Sequence, residues 1–173
     1  ALRSSAAIAA TLREPPLHAL FLLLEAHAAD AALVARLPGM SAPLMRLRQG
    51  ALQERPAVEV LPVVVRGFER LAQALMAASP GESVPLAAAF NGTEAQGAAR
   101  GVVLGLPADA ATVLLRAREL LSLLVGPGAS SVRRWFWADM WTGELRSPSP
   151  EALALPGTQE DGDDGAPGAP PRA

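Results

Sequence analysis

The stretch LPVVVRGFERLAQAL, residues 61–75, decides the fold class. Leu61, Val64, Val65, Phe68, Leu71, Ala72 and Leu75 recur at three- and four-residue intervals, so on a helix they form one apolar stripe. Arg66, Glu69, Arg70 and Gln73 fall opposite. Val63-Val64-Val65 alone would suit a strand, but the longer helical period wins. Ser79-Pro80-Gly81 then ends the helix.

The same punctuation runs outward in both directions. A short helix from Ser4 or Ser5 to Arg13 precedes Pro15-Pro16, and paired prolines suit a first turn, where a missing N–H costs nothing. The helix they open carries Leu17, Leu20, Phe21, Leu24, Ala28 and Ala31 on one face and stops at Pro38-Gly39. Ser41 is the expected N-cap of the next, which ends before Pro56. A short helix around Pro85 to Phe90 breaks at Asn91-Gly92, and Thr93 with Gln96 forms a capping box. Pro107 and Asp109 open a helix carrying Ala111, Leu114, Leu115, Leu121 and Leu124. Ser130 or Ser131 caps a last one, with Gly143 at its C-terminal end. The expectation is an all-α bundle of about seven or eight helices over residues 1–146. Residues 147–173, rich in Pro, Gly and acid, form a disordered tail.

Composition narrows the chemistry. The chain has no Cys, no Tyr and no Lys, so its fifteen basic residues are all arginine. Disulfides, thiolate metal sites, a Cys nucleophile, Schiff-base lysine and phenolic acid–base catalysis are excluded. Arginine without lysine, alongside abundant Ala, Gly and Pro, points to a GC-rich coding sequence. Residues 1–146 are nearly balanced in charge and lack a basic stripe, which disfavours nucleic acid as a partner. The most apolar stretch, residues 15–37, holds His18, Glu25, His27, Asp30 and Arg36, which argues against a transmembrane segment. The first ten residues lack an adequate signal-peptide core, and the chain begins without Met, as a fragment or processed product would. An intracellular location, cytoplasmic or nuclear, is expected.

Few residues suggest reactivity. His27 and Asp30 are three apart and share a helix face, a pairing that offers two ligands or a weak acid–base couple. A metal needs three or four ligands and the sequence places no third, so no metal or cofactor is expected. His18 falls on a different part of the helix surface. The reading taken for both histidines is polar groups on the solvent side of a long helix. Ser130-Ser131 does not form a nucleophile elbow. Gly97, Gly101 and Gly105, spaced by four, form a small-residue face expected to pack closely against another helix. Asn91-Gly92-Thr93 fits the glycosylation sequon but is read as a turn and helix cap.

The densest feature is aromatic. All three tryptophans, Trp135, Trp137 and Trp141, fall in seven residues with Phe136 and Met140, directly after Arg133 and Arg134. Trp and Arg are the residue types that most often dominate interface energies. On a helix over residues 131–142 they cover more than one face, so the segment either closes the core or docks a partner. Arg133 and Arg134 sit at the helix end least favourable for cations, which suggests that they serve a partner, an acidic patch or the acidic tail itself. Arg133, Arg134, Trp135, Trp137, Met140 and Trp141 are therefore the expected partner-binding set.

Arginine without lysine, Ala–Leu helices broken by Pro-Gly, and the tail QEDGDDGAPGAPP at residues 159–171 together resemble the helical tegument and assembly proteins of GC-rich alphaherpesviruses. The resemblance is one of composition across the whole chain and carries over no residue roles. It implies a non-enzymatic protein working through protein–protein contacts. The leading reading is thus a non-catalytic interaction or scaffolding module with another protein as partner. Contact with a membrane surface and self-association stay open beside it. The alternative is a helical enzyme or ligand-binding domain with its polar centre around His27 and Asp30.

Overall fold

Pro15 and Pro16 open the longest helix of the computed structural model, which describes residues 8–9, 11–90, 101–124 and 141–142. This helix, α1 (Pro15–Arg36), is followed by α2 (Ser41–Gln53), α3 (Val63–Ala77) and α4 (Ala110–Leu124). Short 3-10 turns at Pro38–Met40, Val58–Val60 and Leu86–Ala89 link them. The protein is all-α in character, but the described residues hold four α-helices where the sequence suggested seven or eight. Residues 93–100 of the helix expected after the Thr93–Gln96 capping box lie outside the described residues, and 101–106 are not helical. The helix expected over 131–142, apart from 141–142, and the tail from 147 also lie outside them.

Local chemistry accounts for most boundaries. The paired prolines occupy the first helical positions of α1, and Pro38 follows its end at Leu37. Ser41 does not cap α2: the 3-10 turn runs straight into the helix, so Ser41 is already helical and Met40 takes the cap position without a side-chain bond. Asp109 does cap, its Oδ1 accepting from the Thr112 N–H at 2.8 Å. That bond, the largest influence on it, holds the Asp109 carboxyl below its ordinary value. Gly81 adopts a positive φ of 88°, a left-handed turn within the loop after α3.

Packing assigns each helix a face. α1 lies mainly along α4, while α3 packs against α2 and the Leu86–Ala89 turn. Leu20, Phe21 and Leu24 from α1, Leu71, Leu75 and Met76 from α3, and Val113, Ala117 and Leu120 from α4 form the centre of one core. The buried stripe of α4 is Val113, Ala117, Leu120 and Leu124, spaced for one helix face. The stripe expected from sequence is rotated: Ala111 and Leu115 face outward, Leu115 being 61% exposed. On α3 the stripe holds from Val65 to Leu75, but Val64 is partly exposed and Glu69 is buried.

The glycine face also differs. Gly101 and Gly105 lie in an extended segment, whose Val102 pairs antiparallel with Pro85 through Leu86 N–H to Gly101 O and Val103 N–H to Val84 O. Helical small-residue packing therefore does not describe Gly101 and Gly105, and Gly97 lies outside the described residues. The pairing of residues 101–103 to residues 84–86 outweighs the spacing. Close approach occurs instead at Gly67 of α3, where an added Cβ would sit 3.3 Å from the Leu124 carbonyl oxygen and 3.5 Å from that of Ala89. Gly50, inside α2, would meet nothing within 4 Å.

Two outcomes follow for urea denaturation. Gly50→Ala raises stability by about 0.5–1 kcal/mol, the helix-propensity gain alone. Gly67→Val lowers it by roughly 1–3 kcal/mol, because backbone oxygens must move to admit the side chain. Asp109→Ala lowers the melting temperature at neutral pH. Because the folded carboxyl titrates low, that difference persists above the unfolded value and shrinks as pH falls through the folded one. A melting series on both chains across acid pH reads it directly.

Candidate functional site

His27 and Asp30 are one turn apart on α1 and face inward, exposed by only 1% and 8%. Arg48 reaches them from α2 with its whole residue at 0% exposure. Its Nε donates to Asp30 Oδ2 at 2.8 Å. Its Nη1 donates to the carbonyls of Leu75 and Ala78, at 2.9 and 2.8 Å. These oxygens belong to the last turn and cap of α3, where carbonyls lack helical partners and the helix dipole favours a cation. One side chain thus satisfies the end of α3 and ties it to α1 and α2.

The rest of the cluster completes this arrangement. Arg48 Nη2 faces His27 Nδ1 at 3.4 Å, a long contact in which only the histidine can accept. The neutral ring therefore carries its proton on Nε2, and the ring also has a hydrogen bond with the Glu82 backbone. Burial, followed by the Arg48 charge, lowers the His27 pKa from 6.5 to about 4, against the opposing pull of the Glu82 backbone, Asp30 and Glu82. Trp141 closes the cluster. Its Nε1 donates to Asp30 Oδ2 at 2.8 Å, and its ring lies 4.6 Å from the Arg48 guanidinium carbon, a cation–π contact.

A second buried pair lies nearby. Arg55 Nε and Nη2 grip Glu69 at 2.7 and 2.8 Å, both side chains being 2% exposed. Gln73 Nε2 donates to Glu69 Oε1 and to the Pro56 carbonyl. Arg116 donates to the carbonyls of Val102 and Val103, fixing the extended segment to α4. Planar, multidentate guanidinium suits each of these sites in a way a lysine ammonium would not.

The sequence-expected site residues separate sharply. His27 and Asp30 do meet, but inside the core, so the solvent-side reading of His27 is corrected. His18 is half-buried and outside the cluster, its Nε2 without a hydrogen-bond partner. Trp141 is buried at 8% exposure and closes the core. Arg133, Arg134, Trp135, Trp137 and Met140 lie outside the described residues. Sequence reasoning missed Arg48, Arg55 and Glu69. Among the described residues, no group of three His, Asp or Glu could hold a metal ion. α1 is long and apolar enough to cross a membrane by length and composition, with half of its most apolar window buried within the fold. No family model, curated protein or solved structure matches the chain.

Replacing Arg48 with Met would strip the Asp30 carboxylate of its cationic partner and two helix-end carbonyls of their donor. A loss of roughly 3–5 kcal/mol is expected in chemical denaturation. Arg118→Ala on the exposed face of α4 should stay within about 0.5 kcal/mol.

Proposed function

We propose that this chain is a non-catalytic interaction module that works by presenting apolar and aromatic surface to another protein. The observation carrying this reading is the internal engagement of the His27–Asp30–Arg48 centre. Arg48, Asp30 Oδ2 and His27 Nδ1 are committed to one another, to the end of α3 and to Trp141. A substrate could reach His27 only by displacing that network, which weakens the alternative of an enzyme or ligand-binding centre there. A strongly shifted histidine is found at reactive and at structural sites alike.

Surface composition supports docking. Val60 and Val63, at the entrance to α3, are 73% and 75% exposed, and Leu115 and Leu123 project from α4 at 61% and 54%. With Trp141 serving the core, the proposed aromatic anchor narrows to Trp135 and Trp137, flanked by Arg133, Arg134 and Met140. The role proposed for the likeness to alphaherpesviral tegument proteins is the same: assembly through protein contacts.

The test is capture of partners from cells of the source by the full chain, identification by crosslinking mass spectrometry, and titration of the purified partner. Trp137→Ala should weaken that binding by about 2 kcal/mol, with the melting temperature unchanged. Unaltered affinity with a large drop in melting temperature would assign Trp137 to the core and remove the anchor. Turnover of a small molecule abolished by His27→Asn would instead establish the enzyme reading.

A further inference from the structure

Asp30 Oδ2 is shared. It accepts from Arg48 Nε and from Trp141 Nε1, both at 2.8 Å, while His27 stands one helical turn away on the same helix. The charged groups acting on the His27 ring are Arg48 from α2, Asp30 from α1 itself, and Glu82 from the loop after α3. None comes from α4. Glu82 is itself engaged, its Oε2 accepting from the Ser79 N–H. The Asp30 bond and the face of Arg48 both contribute to holding Trp141, so the guanidinium takes part in its placement.

We propose that these four residues form an acid-sensitive latch in which a proton on His27 releases Trp141 from its site while the helices stay packed. The proton enters at Nδ1, the atom now facing Arg48 Nη2 at 3.4 Å. The acceptor is lost, and a second cation faces a guanidinium with 0% exposure. Asp30 then has a competing cationic partner three residues away on its own helix. As it turns toward protonated His27, Arg48 loses its carboxylate, and the indole loses both its acceptor and its stacking partner. The apolar core around Leu20, Leu71 and Leu120 includes Trp141 but none of His27, Asp30 and Arg48, and its other members, from α1, α3 and α4, pack on one another directly.

The direction follows from linkage. With the latch closed, His27 titrates near 4, below the ordinary 6.5. Any state in which the ring regains water or a carboxylate binds the proton more readily, so falling pH between those values favours the open state. Opening is independent of the docking role proposed above.

The test uses the full chain with Trp135 and Trp137 replaced by Phe, leaving Trp141 as the only tryptophan. Emission maximum, acrylamide quenching and far-ultraviolet circular dichroism are followed from about pH 7.5 to about 4. The expected result is blue emission at neutral pH that shifts red, with increased quenching, in the lower half of that range while helicity is kept. In His27→Asn, whose amide oxygen can still accept from Arg48 but cannot titrate, the shift should disappear or move to lower pH. Emission that changes only with loss of helix, that titrates identically in His27→Asn, or that does not change would overturn the latch. Should the His27→Asn chain fail to fold, proton NMR of the unaltered chain decides. Coincident midpoints for the His27 ring and the Trp141 indole N–H support the latch, and separate midpoints overturn it.

Discussion

The guanidinium of Arg48 is the constraint on which the polar interior depends. It sits at full burial between α1, α2 and the end of α3, with Asp30 for charge and two helix-end carbonyls for its remaining donors. Moving such a cation out of water costs several kcal/mol, and the carboxylate offsets this only when the other donors are also met. Here they are met by backbone that would itself be orphaned. Each party needs the other, so the arrangement fixes the position of α2 against α3 more tightly than apolar contact alone. A buried ion pair adds little over well-packed apolar residues, but half of one is costly, which makes the pair a device for specifying geometry.

Arginine is used this way repeatedly. Arg55 grips Glu69, Arg66 donates to the carbonyls of Leu61 and Glu59, and Arg116 holds those of Val102 and Val103. These contacts join helices to irregular segments, where backbone groups lack regular partners. An absence of lysine, which composition attributes to coding bias, thus has a structural consequence. Five fixed donors in a plane can serve two carbonyls at once or both oxygens of a carboxylate. The short helices and frequent prolines of this chain create many such unsatisfied carbonyls, and the arginines answer them.

The two glycines of the helices show how far local reading extends. Spacing suggested close packing at Gly97, Gly101 and Gly105, but Gly101 and Gly105 lie in extended chain. Gly67, inside the very stripe that defines α3, is the one that meets backbone from two other segments. Nothing in its own neighbourhood marks it, because its partners, Ala89 and Leu124, are brought there by the fold. Val60 and Val63 teach the converse: β-branched apolar residues in the richest hydrophobic stretch lie largely in solvent. That exposure is what gives the proposed docking role its surface.

Periodicity and punctuation determined helical character, the starts and ends of α1 and α3 and the start of α4 within a few residues, and most of the core from Leu17 to Leu75. Those features depend on neighbours within a turn or two, so a linear sequence contains them. The rotation of α4 and the inward facing of His27, Asp30, Arg48 and Glu69 were decided by tertiary structure. A charged residue on a helix reads as solvent-facing until a partner eighteen or more positions away is brought beside it, as Arg48 is to Asp30 and Trp141 is across a still greater span. Burial of charge is a property of pairs, and only the folded chain makes those pairs.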